Sequence, residues 1–503
     1  MIDWIRCKNS AKAHWALWVA LAMLAGYGVF IGANHAPVAS GADSGGYLSS
    51  AKLLSQGRLT TSIRSVPEVK MVNSWEQTPL GFQLIPGDTI LRPTYPIGLP
   101  LHYAAAGLVA GWYWGPMLVA VFAALVVLVV CYLCAREMGV GPLLAASGSV
   151  AVGVSPLFLF TSFTPMSDVV ATAWCSIAFL AGLRAKRGSG WAILSGAAFS
   201  IAVLVRPANL IFFPVLIILL WNWRNLFWGG LGALPAAVVN GLYNQFMWGS
   251  PFLSGYGTLD GAFSRSFFLP TLVNYVKTLP LVLPLMFVGL FLLPFLSWRK
   301  RPRELSACLL WAVLFMGFYA FYVFTSTTWW FLRFILPAFP ALVILSVSGL
   351  DAILQRKPGG GSQTKGIVVA VVVVAFSLAG SIWTARDKHF MLMKAYQEPY
   401  VKVCDWVTMN LPPGSLIACL QTSSAIYYYT DFPVLRWDAT EPNAYANLKI
   451  ELQKTGRPFY AVLLSHEVKE ALEIRLPGSW RKIKEFKSFG GVSFDVWKLD
   501  PAK

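Results

Sequence analysis

The sequence predicts a polytopic α-helical membrane protein carrying a small α/β domain at its C-terminal end. Three observations carry that prediction. Of 503 residues, 56% are hydrophobic and only 13% charged, about half the charged share of a soluble globular chain. Charge-free apolar runs recur along residues 14–383, most of them near the length that a membrane-crossing helix needs. After residue 387 the apolar runs give way to alternating helix-like and strand-like segments, the pattern of a small α/β unit. The predicted division is therefore a membrane domain over 1–387 and an α/β domain over 388–503. The composition excludes a purely water-soluble enzyme and a disordered chain. The net charge of +17 is dispersed between apolar runs, which excludes a nucleic-acid partner. The 21 Trp and 33 Phe suit lipid-facing surfaces and interfacial belts.

Reading the apolar runs in order gives about eleven spans, at 14–34, 116–135, 143–160, 169–183, 190–205, 210–223, 226–248, 278–298, 305–324, 334–350 and 366–383. The first is too long for a cleavable signal peptide. Orientation follows from Lys and Arg beside the span ends. With Arg6, Lys8 and Lys12 in the cytoplasm, the basic clusters at Arg136, at Arg184/Lys186/Arg187, at Arg224, at Arg299/Lys300/Arg301/Arg303 and at Arg356/Lys357/Lys365 all fall on that side. Eleven spans then place the C-terminal domain outside. The predicted location is a bacterial plasma (inner) membrane, N-terminus cytoplasmic and C-terminal domain extracytoplasmic. Asp43, Asp168 and Asp260 fall on the outer side. Glu137, Glu304 and Asp351 fall on the inner side, beside basic residues.

The first outer loop, 37–115, is far longer than an ordinary connection, and long loops in compact proteins are commonly functional. Its start reads as a turn and a short helix, with Leu48, Ala51 and Leu54 at helical spacing and Gly57 as C-cap. Its end, 92–102, is proline-rich and aromatic, and 103–114 suits a segment lying along the interface. In the tail, helices are expected at 400–411, 425–429, 446–455 and 468–476, and strands at 415–420, 434–437, 459–464, 481–489 and 492–499. No glycine-rich phosphate fingerprint occurs there, so the domain reads as a lid or acceptor-handling unit. The glycine-rich stretch 357–364 reads as a flexible linker. The seven cysteines lack zinc spacing. Cys131 and Cys134 sit in an apolar run as packing residues, while Cys404 and Cys419 are the two placed to pair in an oxidising compartment.

The motif inventory is mostly negative. There is no G-x-x-x-x-G-K-[ST] to drive transport, no Asp-x-Asp pair to hold a nucleotide sugar through a metal, and neither H-E-x-x-H nor G-x-S-x-G. What remains is a set of ionisable residues at the outer span ends: Asp43, Arg92, Asp168, Arg206 and Arg333. Such groups at membrane depth are costly and often functional. Snorkelling to headgroups is the structural alternative for Arg206 and Arg333, and helix capping for Asp168.

These residues carry a resemblance. Asp43-x-Gly-x-Tyr47, with Gly57 beyond it, is similar to the first-loop motif of membrane-embedded GT-C-type glycosyltransferases. Arg92-Pro-x-x-Tyr95-Pro96 resembles their following basic, aromatic segment, Thr164-Pro-Met-Ser-Asp168 their second-loop acid, and Arg333-Phe-Ile-Leu-Pro-Ala-Phe-Pro340 the start of a late helix. Within that group the chain resembles bacterial aminoarabinose transferases and protein O-mannosyltransferase-like enzymes. The resemblance implies a GT-C-like fold and a sugar, hexose or pentose, carried on a polyprenyl phosphate. Transfer to a hydroxyl of a lipid, glycan or protein on the outer face would need no nucleotide. Asp43 would act as base, with Asp168 orienting the acceptor or positioning Arg92. Arg92 foremost, with Arg333 and Arg206, would stabilise the leaving phosphate, and Tyr47 and Tyr95 would line the substrate site. Direct displacement would invert the anomeric centre. Many relatives have two adjacent acids in the first loop; here Ser44 follows Asp43, which argues against a bound divalent metal, and no other cofactor is implied. The competing expectations are a transporter or flippase for lipid-linked sugars, and a polymerase or ligase of surface polysaccharide.

Overall fold

A computed structural model describes residues 2–500 except 72–73, 86, 258–260, 297 and 356–362. Asp260, Arg356, Lys357 and most of the predicted linker lie outside the described residues. All eleven predicted apolar runs fall on helix, but several are broken where proline or glycine dictates. Helix α1 (Ile2–Asn34) leads into the first loop, which holds α2 (Gly41–Ser55), β1 (Thr61–Ser62), β2 (Phe82–Leu84) and β3 (Ile90–Pro93). Helix α2 stops where Gly57 takes φ 69°. The three strands form an antiparallel sheet in the order β1-β3-β2, which the sequence pattern did not announce.

Helix α3 (Gly98–Glu137) is two arms. Gly111 turns the chain with φ 78° and ψ 168°. A Cβ on Gly115 would then stand 2.7 Å from the Gly107 nitrogen. In one straight helix those residues would be about 12 Å apart along the axis. The run expected to lie along the interface is thus the first arm and turn of a hairpin. Helices α4 (Pro142–Gly153) and α5 (Pro156–Ser162) meet at 59°; Pro156 lacks the N–H that would continue α4 and starts a new helix instead. The predicted single span 143–160 is therefore bent.

Helices α6 (Ser167–Arg184), α7 (Ser189–Val205), α8 (Phe213–Leu220) and α9 (Trp223–Trp248) follow. Next come α10 (Phe268–Val282) and α11 (Pro284–Leu292). They are separated at Leu283, extended at φ −146° and ψ 69° because proline follows it, so the run 278–298 is also two helices. Helix α12 (Pro302–Tyr319) precedes a 3-10 segment, Trp329–Ala338, that runs into α13 (Phe339–Gln355), and α14 (Gln363–Lys388) completes the apolar part. Among the described residues six helices are long and apolar enough to cross a bilayer, and the α4–α5 pair makes a seventh if counted as one span. The remaining predicted spans are shorter or interrupted.

Helix α6 sets the distance between two charged ends. Asp168 and Arg184 are separated by about 24 Å of helix, close to a hydrocarbon thickness. At the Arg184 end, Glu137 pairs with Arg184 (2.7 Å) and Arg187 (2.5 Å), Arg301 donates to the Glu137 carbonyl (2.5 Å), and Lys186 faces Glu304 (3.5 Å). These are the acids and bases the sequence assigned to one side. Asp351 accepts the Gly141 N–H instead (3.2 Å).

The tail folds as α15 (Met393–Asn410), β4 (Leu416–Cys419), α16 (Ser423–Tyr429), β5 (Val434–Arg436), α17 (Pro442–Thr455), β6 (Phe459–Leu464), a π-helical turn Lys469–Arg475 where an ordinary helix was expected, β7 (Trp480–Lys487) and β8 (Ser493–Leu499). The sheet order is β5-β4-β6-β8-β7, parallel across the first three strands and antiparallel across the last three. Its core is shared: Val66 and Val69 of the first loop are buried among Leu416, Ala418, Leu435 and Phe459. Polar latches reinforce this seam. Arg457 pairs with Glu68 at 2.8 Å, and the Ser424 hydroxyl donates to the Gly41 carbonyl at 2.5 Å. Cys404 and Cys419 are buried and unpaired.

Candidate active site

Four charged residues from distant parts of the chain converge at the end of α6 away from Arg184. Asp43 stands in the first turn of α2, Asp168 in the first turn of α6, Arg206 at the end of α7 before Pro207, and Arg333 in the 3-10 segment. Arg333 Nη2 donates to Asp43 Oδ2 at 2.6 Å, and the Tyr95 hydroxyl donates to Asp43 Oδ1 at 2.6 Å. Arg206 Nη1 donates to Asp168 Oδ1 at 2.7 Å. Phe334 joins the two pairs: the guanidinium carbons of Arg206 and Arg333 lie 5.0 and 5.3 Å from its ring centroid, within cation–π range. Tyr47 closes the other side, its hydroxyl donating to Ser167 Oγ at 3.0 Å.

The electrostatics divide the roles. Asp43 retains 33% side-chain exposure, whereas Asp168, Arg206 and Arg333 keep 2%, 10% and 9%. Of the two acids, then, Asp43 is the one an incoming molecule can reach. Burial pushes its carboxyl up, but Arg333, Tyr95 and the more distant Arg206 outweigh that and hold it below the ordinary value, so it is ionised near neutral pH. The neighbouring phenols stay protonated. Burial first and Asp43 second raise Tyr95 well above its usual value and Tyr47 to about 12, which keeps both as donors. Gly46 permits this arrangement, since a Cβ there would stand 2.5 Å from the Tyr95 ring.

Neither structural alternative accounts for these residues. Asp168 does not cap α6, because the capping position belongs to Met166. Arg206 and Arg333 point inward to carboxylates instead of outward to headgroups. Arg92 is the exception among the predicted residues. It lies on β3, pairs with Asp88 at 3.1 Å and is not joined to the cluster, so the carboxylate expected to position Arg92 holds Arg206 instead. Tyr256, from the loop after α9, was not anticipated. Its ring packs edge-on to Tyr95 at 6.1 Å, and a lone aromatic in a polar loop gives no periodic signal. Among the described residues no group of three His, Cys, Asp or Glu side chains is arranged to hold a metal ion.

An apolar cavity of about 300 Å³ lies between α10, α11, α12 and α13, lined by Tyr275, Met286, Leu309, Met316, Ala320 and Leu345. Tyr319, next to Ala320, stacks on Phe334 at 5.5 Å, the ring that both guanidiniums flank.

No protein-family model and no curated protein matches the sequence. Solved structures do. The chain is similar to ArnT from Cupriavidus metallidurans bound to undecaprenyl phosphate, with 14% identity and TM-score 0.56 over 96% of this chain and 98% of that one. The apo form of that ArnT gives TM-score 0.55 at 14% identity, over 97% and 98% of the two chains. The apo oligosaccharyltransferase of Archaeoglobus fulgidus gives TM-score 0.54 at 11% identity, over 89% and 70%. The likeness is one of fold across nearly the whole chain: this protein has the GT-C-type fold of membrane glycosyltransferases.

Proposed function

We propose that this chain is an integral-membrane glycosyltransferase that moves a sugar from a polyprenyl-phosphate donor to a hydroxyl acceptor. The observation that carries the reading is an accessible, ionised carboxylate, Asp43, bonded to a buried arginine beside a second arginine. The similarity of fold to an ArnT structure holding undecaprenyl phosphate supports a donor of that class.

The chemistry follows from the placement. An acceptor hydroxyl is a weak nucleophile until its proton is taken. Asp43 accepts that proton as the acceptor oxygen bonds to the anomeric carbon and the bond from that carbon to the phosphate oxygen breaks. The sugar passes through oxocarbenium character and its anomeric configuration inverts. The electron pair leaves with the lipid phosphate, and Arg333 and Arg206 stabilise the growing negative charge. One such donor in a dry site is worth roughly 3–4 kcal/mol. Asp168 positions Arg206, and Tyr95 and Tyr47 line the sugar side. Arg92, held by Asp88, serves at most at the periphery. The reading places this cluster and the 388–503 unit outside a bacterial plasma membrane and the Arg184 end in the cytoplasm, in accord with the basic residues gathered there.

The test is reconstitution of the purified protein into vesicles with polyprenyl-phosphate sugars extracted from membranes. Mass spectrometry of the purified protein should find a co-isolated polyprenyl phosphate or its sugar ester. Asp43→Asn should abolish transfer while the variant stays folded, at some cost in thermal stability because Arg333 loses its counter-charge. Transfer at the wild-type rate by the Asn variant would remove Asp43 as the base.

A further inference from the structure

Behind α2, away from Asp43, lies a cavity of about 420 Å³ bounded by α2, β1 and the end of α16. Nine residues separate Asp43 from Lys52, which is about 13 Å along the helix axis and about 180° around it. The cavity is therefore no extension of the cluster described above. Its wall carries three cations, Lys52, Arg58 and Arg64, against one carboxylate, Asp431, which is fully exposed and stands 3.9 Å from Arg64.

The cations are held in place without being neutralised. Lys52 Nζ sits 4.2 Å above the Tyr428 ring and Arg64 Cζ 4.1 Å above the Tyr427 ring. Arg64 also donates to the carbonyls of Thr430 (2.6 Å) and Tyr427 (2.9 Å). Among the described residues Arg58 reaches only the Thr61 hydroxyl, at 3.4 Å. Carbonyls and ring faces orient a cation but do not cancel its charge. Burial first and Arg64 second push the Lys52 ammonium below its ordinary value, outweighing the opposite pull of Asp431, as expected where like charges outnumber the anion beside them. Ser49, only 5% exposed, lines the same cavity, and its hydroxyl has no hydrogen-bond partner among the described residues.

We propose that this cavity binds a phosphorylated sugar, at a site separate from the transfer centre. The lining is left with two uncompensated positive charges, the complement of a phosphate monoester near neutral pH, which carries about −1.5 to −2. The unpartnered Ser49 hydroxyl, the Thr61 hydroxyl and the aromatic walls supply what a sugar ring needs and a bare anion does not. The volume is many times the roughly 30 Å³ share of one water.

The experiment is isothermal titration of the purified full-length protein in micelles with glucose 6-phosphate, glucose and inorganic phosphate. Saturable binding of glucose 6-phosphate is expected, weakening as salt rises, with inorganic phosphate bound less tightly and glucose not detectably. Arg58→Glu should weaken glucose 6-phosphate by about tenfold or more, the loss of one charged hydrogen bond. Lys52→Gln should do the same, and its independent effect guards against misfolding of either variant. Absence of saturation at low millimolar concentration, equal affinity for inorganic phosphate, or unchanged affinity in both variants would each overturn the proposal. Because the readout is binding and neither residue belongs to the Asp43 cluster, the result is independent of whether the chain transfers sugar.

Discussion

Replacing Arg206 with Met tests whether the Asp168–Arg206 pair is as dry as its surroundings indicate. The two side chains are 2% and 10% exposed and joined at 2.7 Å. Arg333, the other cation of the cluster, is already bonded to Asp43, so it cannot take over Asp168 without abandoning that acid. The single variant therefore leaves a buried carboxylate without a counter-charge, and breaking a buried pair in this way costs about 3–5 kcal/mol. Loss of the guanidinium from the Phe334 face adds about 0.5–1 kcal/mol. Removing both charges, as Asp168→Asn with Arg206→Met, eliminates the orphaned ion and should bring the cost within about 1–2 kcal/mol of the native chain. Denaturant unfolding in micelles, followed by the fluorescence of the 21 Trp, measures all three variants against the parent. A single variant within about 1 kcal/mol of the parent would mean that water reaches the pair. A double variant no better than the single would mean that Arg206 acts through packing rather than charge.

Other outcomes follow from the same geometry. Because Arg333 helps hold the Asp43 carboxyl below its ordinary value of 3.8, the wild-type transfer rate should fall only as pH drops below that value. In Arg333→Gln the nearest opposing charge is gone and only Tyr95 and Arg206 still counter the burial, so the carboxyl rises and the acid limb should move to higher pH; a rate–pH profile that stays put would refute the coupling. Gly46→Ala drives a methyl into the Tyr95 ring, so transfer should drop with a stability loss of about 1–3 kcal/mol. Gly230→Ala, where nothing lies within 4 Å of the new atom, should leave both intact. Arg457→Ala strands Glu68, only 4% exposed, at a cost of about 1.5–3 kcal/mol. Limited proteolysis should then cut within the first loop, around Glu68, sooner than in the parent.

The charged residues of the site were legible because a bilayer makes ionisable groups conspicuous. Asp43, Asp168, Arg206 and Arg333 each interrupt or border an apolar run, and four such interruptions on one predicted side are already a candidate cluster. Their pairing was not legible. Asp43 meets Arg333 across 290 residues, and nothing local to either specifies the partner. Arg92 shows the same limit: its charge was visible, but its pairing with Asp88, four residues earlier, was not. The tail's strands and helices read well because alternation and proline–glycine punctuation are local signals. The broken helices read poorly because hydropathy is blind to a turn such as Gly111, whose flanks are as apolar as an unbroken run. The first-loop sheet was hidden for a related reason, since strands of two to four residues are too short to show a period.

The shared core of Val66 and Val69 with the C-terminal sheet bears on when, during synthesis, the protein becomes competent. Glu68 and Arg457 stand 389 residues apart, so the Val66 and Val69 stretch of the first loop is made early and must wait for the C-terminal sheet before its apolar side is covered. Contacts of such long sequence separation form slowly, because the intervening chain must already be ordered. A nascent polypeptide stalled before the final strands would already contain the Tyr95 and Arg333 that hold Asp43 and yet leave Val66 and Val69 uncovered. The far side of the loop is thereby fixed late, as a checkpoint on completed assembly.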